Sequence, residues 1–183
     1  MTACVDPDPS RNPNRDSFSH CPGCGSKTLK PKSIKSFFCT DCGFSFFINC
    51  AAAAMALIFD DQKQLLVTRR KFHPQKGSLD LPGGFSEPGE GIDDCLKREI
   101  KEELNLDLVQ SAFVCSFANT YPYKSVIYPV TDIAFVCQVK SLDPIAALDD
   151  VAGFEFIPVQ ALDPKAFGMD SVQKTIQFLK EKF

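Results

Sequence analysis

The chain has 183 residues, with 20 basic and 23 acidic side chains and a net charge of −3. That balance argues against a dedicated nucleic-acid binder. The apolar run over residues 50–59 is about half the length that a bilayer-spanning helix needs, so it reads as a buried strand and no membrane partner is expected.

From the N-terminus, residues 1–18 are rich in Pro, Asp, Asn, Ser and Arg and read as a flexible tail. They show no charged-then-apolar leader pattern. Four of the nine cysteines follow as two C-x-x-C pairs, Cys21/Cys24 and Cys39/Cys42, with fourteen residues between them and a glycine after each second cysteine. Two such knuckles have the form of a closed, structural Cys4 zinc site, so residues 19–48 are expected to be a small zinc ribbon. A disulfide or redox pair is the competing reading; the odd cysteine count and the missing leader speak against it. Cys50, Cys95, Cys115 and Cys137 read as small buried apolar residues and Cys4 as a tail thiol, which together point to a reducing cytoplasm. Lys27, Lys30, Lys32 and Lys35, followed by Phe37 and Phe38, make the ribbon basic and aromatic. RNA contact is one reading of that patch. The stronger one is a set of solvated lysines, with the phenylalanines covering the face toward the rest of the chain.

Residues 49–183 have the size of one domain. Strands are expected over 51–59 and 64–69, joined as a hairpin by Asp60-Asp61, and then a polar loop over 71–79 that holds His73. A Leu-Pro-Gly-Gly-Phe turn over 81–85 leads into a helix whose stripe is Ile92, Leu96, Ile100 and Leu104. Further strands are expected over 112–118, 131–139 and 151–157. A last amphipathic helix covers 170–181, with Val172, Ile176 and Leu179 inward. The class is α/β, a mixed sheet between helices.

On the first helix Glu99, Glu102 and Glu103 stand at i, i+3 and i+4 and share one face. Such carboxylates repel by a few tenths (~0.3) of a kcal/mol per exposed pair, so a purely structural helix gains nothing from them. A hard divalent cation such as Mg²⁺ does, because it selects carboxylate oxygens. Asn105 follows the helix and suits a left-handed terminus. Arg69 and Arg70, at the end of the second strand, are candidate phosphate contacts, and Tyr121 and Tyr123 are candidate platforms for a nucleobase.

Gly84, Glu90, Arg98, Glu99, Ile100, Glu102 and Glu103 fall at the spacing G-x5-E-x7-R-E-U-x-E-E, with U aliphatic. This resembles the Nudix box, the signature of hydrolases that split a diphosphate linked to another moiety. The resemblance covers nearly everything after the ribbon and implies an α/β/α Nudix sandwich that acts as a Mg²⁺- or Mn²⁺-dependent pyrophosphohydrolase. It implies Gly83 (through its carbonyl), Glu99, Glu102 and Glu103 as metal ligands, and Arg98 as the partner of acids such as Glu90. It also points to Asp150 as an outlying carboxylate that completes the site or serves as base. Asn105 stands where the family usually has glycine.

A zinc ribbon joined to such a domain is similar to the NADH pyrophosphatases. That implies a small nucleotide substrate like NADH, NAD or ADP-ribose, and a homodimer. Those enzymes carry a Ser-Gln-Pro-Trp-Pro-Phe-Pro block after the box. Here residues 119–125 read Asn-Thr-Tyr-Pro-Tyr-Lys-Ser, and the chain has no Trp. Two alternatives stay open: removal of NAD from RNA 5′ ends, and a catalytically inactive nucleotide-sensing module. The inactive module is disfavoured because such proteins lose box acids, and here each acid is present.

Overall fold

The computed structural model describes residues 8–182; Cys4 and the first seven residues of the expected tail lie outside the described residues. The chain divides into two units. One runs up to Cys50 and includes Thr120–Pro129; the other holds Ala51–Asn119 and everything from Val130 onward.

The first unit is built on an antiparallel sheet of β1 (Leu29–Ser33), β2 (Ser36–Cys39) and β3 (Ser45–Phe47), in that order. Its core is small: Cys21, Leu29, Phe37, Cys39 and Ile48, with Phe18 and Phe46 packed on it. Phe18 meets Phe37 and Phe46 edge-on, with ring centroids 5.2 and 5.3 Å away. Phe37 is thus 1% exposed inside its own unit. Phe38 lies beneath the Lys32 ammonium at 5.1 Å.

The stretch from Asp8 to Phe18, expected as flexible tail, is ordered instead. A 3-10 helix, Pro9–Arg11, is capped by the Asp8 side chain, and Asn12 and Asn14 are each 2% exposed. Asn12 Nδ2 donates to the Ser33 carbonyl at 2.8 Å. The Asn14 amide donates to and accepts from the backbone of Ile127, at 2.7 and 2.6 Å. Amide side chains that find backbone partners far along the chain order a segment that has little apolar surface of its own.

The second unit contains β4 (Ala51–Ile58), β5 (Gln64–Arg70), β6 (Leu79–Asp80), α1 (Ile92–Leu104), β9 (Val151–Pro158), α2 (Asp170–Lys182) and those parts of β7 (Leu108–Tyr123) and β8 (Val126–Val139) that lie outside Thr120–Pro129. Two sheets form, ordered β4-β8-β7 and β6-β5-β9. The expected hairpin of β4 with β5 does not form; a single bridge, Phe59 to Leu65, joins their ends. Instead β4 runs parallel to β8, in register from Ala51↔Val130 to Ile58↔Cys137.

The reason is visible in the side chains of β4, which is apolar along its whole length. Met55 and Leu57 enter one core, with Leu65 and Val67 of β5 and Val172, Ile176 and Leu179 of α2. Ala54, Ala56 and Ile58 enter the other, with Leu66 of β5 and Leu96, Ile100 and Leu104 of α1. A strand covered on both faces belongs in the middle of a layered α/β/α arrangement and not in an edge hairpin.

Cys95, Cys115 and Cys137 are buried as expected, whereas Cys50 is exposed because it precedes the strand that enters the core. Strands β7 and β8 are longer than the sequence pattern suggests, and they turn at Lys124, which has a left-handed φ of 52°. Among the described residues no helix is long and apolar enough to cross a membrane.

Candidate active site

The outer edge of β4 is stitched to the glycine turn. Ala54 N donates to the Gly84 carbonyl at 2.9 Å, Ala56 N to the Pro82 carbonyl at 2.8 Å, and Ser86 N to the Ala52 carbonyl at 3.0 Å. This alternation leaves Gly83 turned away from β4, and its N–H donates to Glu103 Oε2 at 2.8 Å. Both glycines are required by space. A Cβ on Gly83, at φ +135°, would stand 2.0 Å from the Ala54 carbonyl oxygen, and one on Gly84 would stand 2.5 Å from Glu99 Oε1.

Helix α1 begins at Gly91 with Asp93 and Asp94 in its first turn, where their charge suits the helix dipole. It ends at Asn105, which adopts the left-handed conformation at φ 55° and donates its N–H to the last-turn carbonyls. Two further carbonyls of that turn are taken by the loop that follows β8: Ala146 N bonds Leu104 O at 3.1 Å and Leu148 N bonds Glu103 O at 2.9 Å. The next residues of that loop are Asp149, at φ 45°, and Asp150. Capping the helix therefore also brings Asp150 into the same cleft as Glu103.

Glu103 is only 6% exposed, and burial first, with Asp150 and Glu99 adding repulsion, pushes its pKa up to about 10. Burial also raises Glu99, partly offset by its bond from Arg98. Glu102 is half exposed. Arg98 ties the face together: its guanidinium grips both oxygens of Glu90 at 2.9 Å, Glu99 at 2.8 Å, Glu102 at 3.0 Å and the Phe85 carbonyl at 3.0 Å. Held this way, Glu90 sits below the usual carboxylate range.

A narrow cleft opens here, lined by Thr68, Arg69, Arg70, Lys71, Phe72, Asp80, Leu81, Gly83, Glu103, Asp150 and Val151. Of the expected phosphate contacts, Arg69 is half exposed and pairs with Glu155 at 3.0 Å. Arg70 is committed elsewhere: it bonds Asp80 at 2.5 Å and the Pro74 carbonyl at 2.9 Å, with both charged side chains mostly buried. It braces the wall of the cleft. Tyr121 and Tyr123 do not line the cleft; they belong to the hairpin segment of the first unit. Thr68, Lys71, Phe72, Asp80, Leu81 and Val151 also line the cleft and were not among the residues expected there. Lys71 and Phe72 fall in a loop read only as polar, and nothing local marks them as neighbours of Asp150.

The first unit brings together four cysteines that could hold a metal ion. Sγ of Cys21 and Cys42 are 3.7 Å apart, those of Cys24 and Cys39 are 3.8 Å apart, and all four sulfurs lie within 4.8 Å of one another. Sulfurs bound at ~2.3 Å around a tetrahedral zinc are roughly 3.8 Å apart, whereas a disulfide needs about 2.05 Å. The donor set and its spacing fit zinc. The Gly23 N–H on Cys21 Sγ at 3.3 Å and the Thr28 hydroxyl beside Cys39 Sγ at 3.3 Å suit thiolate charge.

The NUDIX domain family profile matches residues 50–176. An ADP-ribose pyrophosphatase of Methanocaldococcus jannaschii is 30% identical over 148 residues, which cover 81% of each chain. A NAD-capped RNA hydrolase NudC of Stutzerimonas stutzeri is 25% identical over 103 residues, 56% of this chain and 37% of that protein. This chain spans about half or less of the length of the NudC relatives it matches. A solved NUDIX hydrolase from Nitrosomonas europaea shares the fold, with a TM-score of 0.63 and 16% identity over 90% of this chain and 92% of that one. With the acid-lined helix and the family match in agreement, the chain belongs to the Nudix family and is a Nudix-type pyrophosphohydrolase.

Proposed function

We propose that the protein hydrolyses the diphosphate of ADP-ribose-like nucleoside diphosphates. One observation carries this reading: Glu103, Asp150 and Gly83 meet in a cleft that Arg69 and Lys71 also line. Acids crowded until burial drives one of them up to about 10 form a donor set that a hard cation would relieve. The Gly83 carbonyl, Glu99, Glu102 and Glu103 would hold Mg²⁺ or Mn²⁺, which when bound neutralises the diphosphate and acidifies a coordinated water. Arg98 keeps Glu99 and Glu102 on the working face. Asp150 is the proton acceptor, and Arg69 and Lys71 face the phosphates. Cys21, Cys24, Cys39 and Cys42 would hold a structural zinc.

The choice of ADP-ribose is supported by the Methanocaldococcus relative and by the absence of the Trp-containing block from residues 119–125. A second reading, NAD-capped RNA, is favoured by the NudC relatives and by the lysines of the first unit. The test is product release from ADP-ribose, NADH, NAD, NAD-capped RNA and nucleoside triphosphates, with Mg²⁺ and with Mn²⁺. ADP-ribose is expected to give the highest kcat/KM. Glu102→Gln is expected to cut turnover at least a hundredfold with an unchanged melting temperature. Wild-type turnover by that variant would remove the metal site from this face, and a preference for capped RNA would select the second reading.

A further inference from the structure

The cleft holds about 320 Å³ of empty space and opens to solvent. A diphosphate held at its acids would bring the groups attached to it against the residues of its lip. The lining of the cleft is nearly all polar or charged. Its apolar members are Leu81 and Val151, both buried, and Phe72, which is 56% exposed. Beside three basic residues and three acids, Phe72 is thus the exposed apolar side chain that the cleft lining offers to a ligand.

Its loop is held firmly on both sides. Lys71 N donates to the Asp150 carbonyl at 2.8 Å, and Lys71 Nζ donates to the Asp149 carbonyl at 2.8 Å. Beyond Phe72, Arg70 Nε grips the Pro74 carbonyl at 2.9 Å, Gly77 N returns to the Arg70 carbonyl at 2.9 Å and Ser78 Oγ donates to the Gln75 carbonyl at 2.7 Å. The Lys71 ammonium stands 5.4 Å over the Phe72 ring. The backbone on either side of the ring is therefore held before any ligand arrives, within the same short segment as Arg69 and Lys71.

We propose that Phe72 is the specificity-determining platform on which the nucleobase of the substrate stacks, while Arg69 and Lys71 take the phosphates. This deepens the functional reading given above and rests on it for the identity of the reacting bond. It selects base-bearing diphosphates over base-free ones without touching the reacting atoms.

The two product fragments of ADP-ribose separate this inference from that reading, because their binding does not depend on turnover. Calorimetric titration with AMP and with ribose 5-phosphate, in Mg²⁺ buffer, is made on wild type, Phe72→Ala and Phe72→Trp. Loss of one stacked base is expected to weaken AMP binding by Phe72→Ala about tenfold, with ribose 5-phosphate unchanged and Phe72→Trp at least as tight as wild type. With ADP-ribose as substrate, KM rises by the same factor and kcat stays within about twofold. Unchanged AMP affinity in Phe72→Ala, no measurable AMP binding by wild type, or equal weakening of both fragments would overturn the assignment. If AMP binding shows the expected loss while wild type leaves ADP-ribose intact, the platform stands and the substrate reading falls.

Discussion

The two units solve the stability problem in opposite ways. The first gathers seven basic and four acidic residues, a net +3, around a core of five buried residues and a thiol quartet. The second holds the other 13 basic and 19 acidic residues, a net −6, on two cores that flank β4 and β5. A unit of some sixty residues buries too little apolar surface and needs a staple. The larger one stands on packing alone and tolerates a buried glutamate with a raised pKa. The lesson is one of division: the thiols that would hold a stabilising metal and the acids that would hold a reacting one belong to different units, so each set can be altered without the other.

The strongest way to break this comparison is Cys39→Ser. Structural zinc sites contribute on the order of 10 kcal/mol to folding, so the variant is expected to lose bound zinc and leave the first unit open to proteolysis. The helical circular dichroism of α1 and α2 should persist; its collapse would show that the second unit is not self-sufficient. Next in size is Gly83→Ala. The added methyl meets the Ala54 carbonyl in a backbone conformation that L residues avoid, and a loss of roughly 3 kcal/mol or more is expected in urea unfolding of the second unit. A midpoint equal to wild type would show that the turn is looser than its bonds to β4 suggest.

The smallest effect sharpens the picture of buried charge. Asp132 on β8 is raised by burial, against hydrogen bonds from Ser171 and Asn119 that lower it. A folded pKa above the unfolded one adds stability in acid, and that contribution is lost as pH rises through the folded value. Asp80, raised by burial and in part by Asp132, follows the same sign. Asp132→Asn keeps an oxygen for both donors and is expected to flatten the fall in urea midpoint between pH 4 and neutrality. Parallel curves for the two proteins would assign that fall to other groups.

What could be read in the sequence was whatever repeats at short range. The stripe of α1, its left-handed end at Asn105 and the cysteine spacing all depend on residues within a few turns or one knuckle. The Pro-Gly-Gly turn and the three glutamates are legible for the same reason. What could not be read depends on distant partners. The apolar run of β4 marks a strand buried on both faces, but its partner is revealed only by the parallel register with β8. Arg70 looks like any exposed cation until Asp80 pairs with it. Asn12 and Asn14 look disordered until Ser33 and Ile127 bond them. Phe72 carries no sequence mark, because what matters is its position beside Asp150, 78 residues further on.

The β7–β8 hairpin has a consequence for anyone who wants to cut this molecule. Its turn and the residues on either side, Thr120–Pro129, are grouped with the N-terminal unit, while the rest of the same two strands is grouped with the catalytic one. A truncated catalytic fragment that starts at residue 51 would keep the Ile127 backbone yet discard Asn14, its two-point partner. It would carry a stretch of orphaned strand. A minimal enzyme should therefore be made by shortening the hairpin to a two-residue turn between Asn119 and Val130, and not by deleting the N-terminal fifty residues alone.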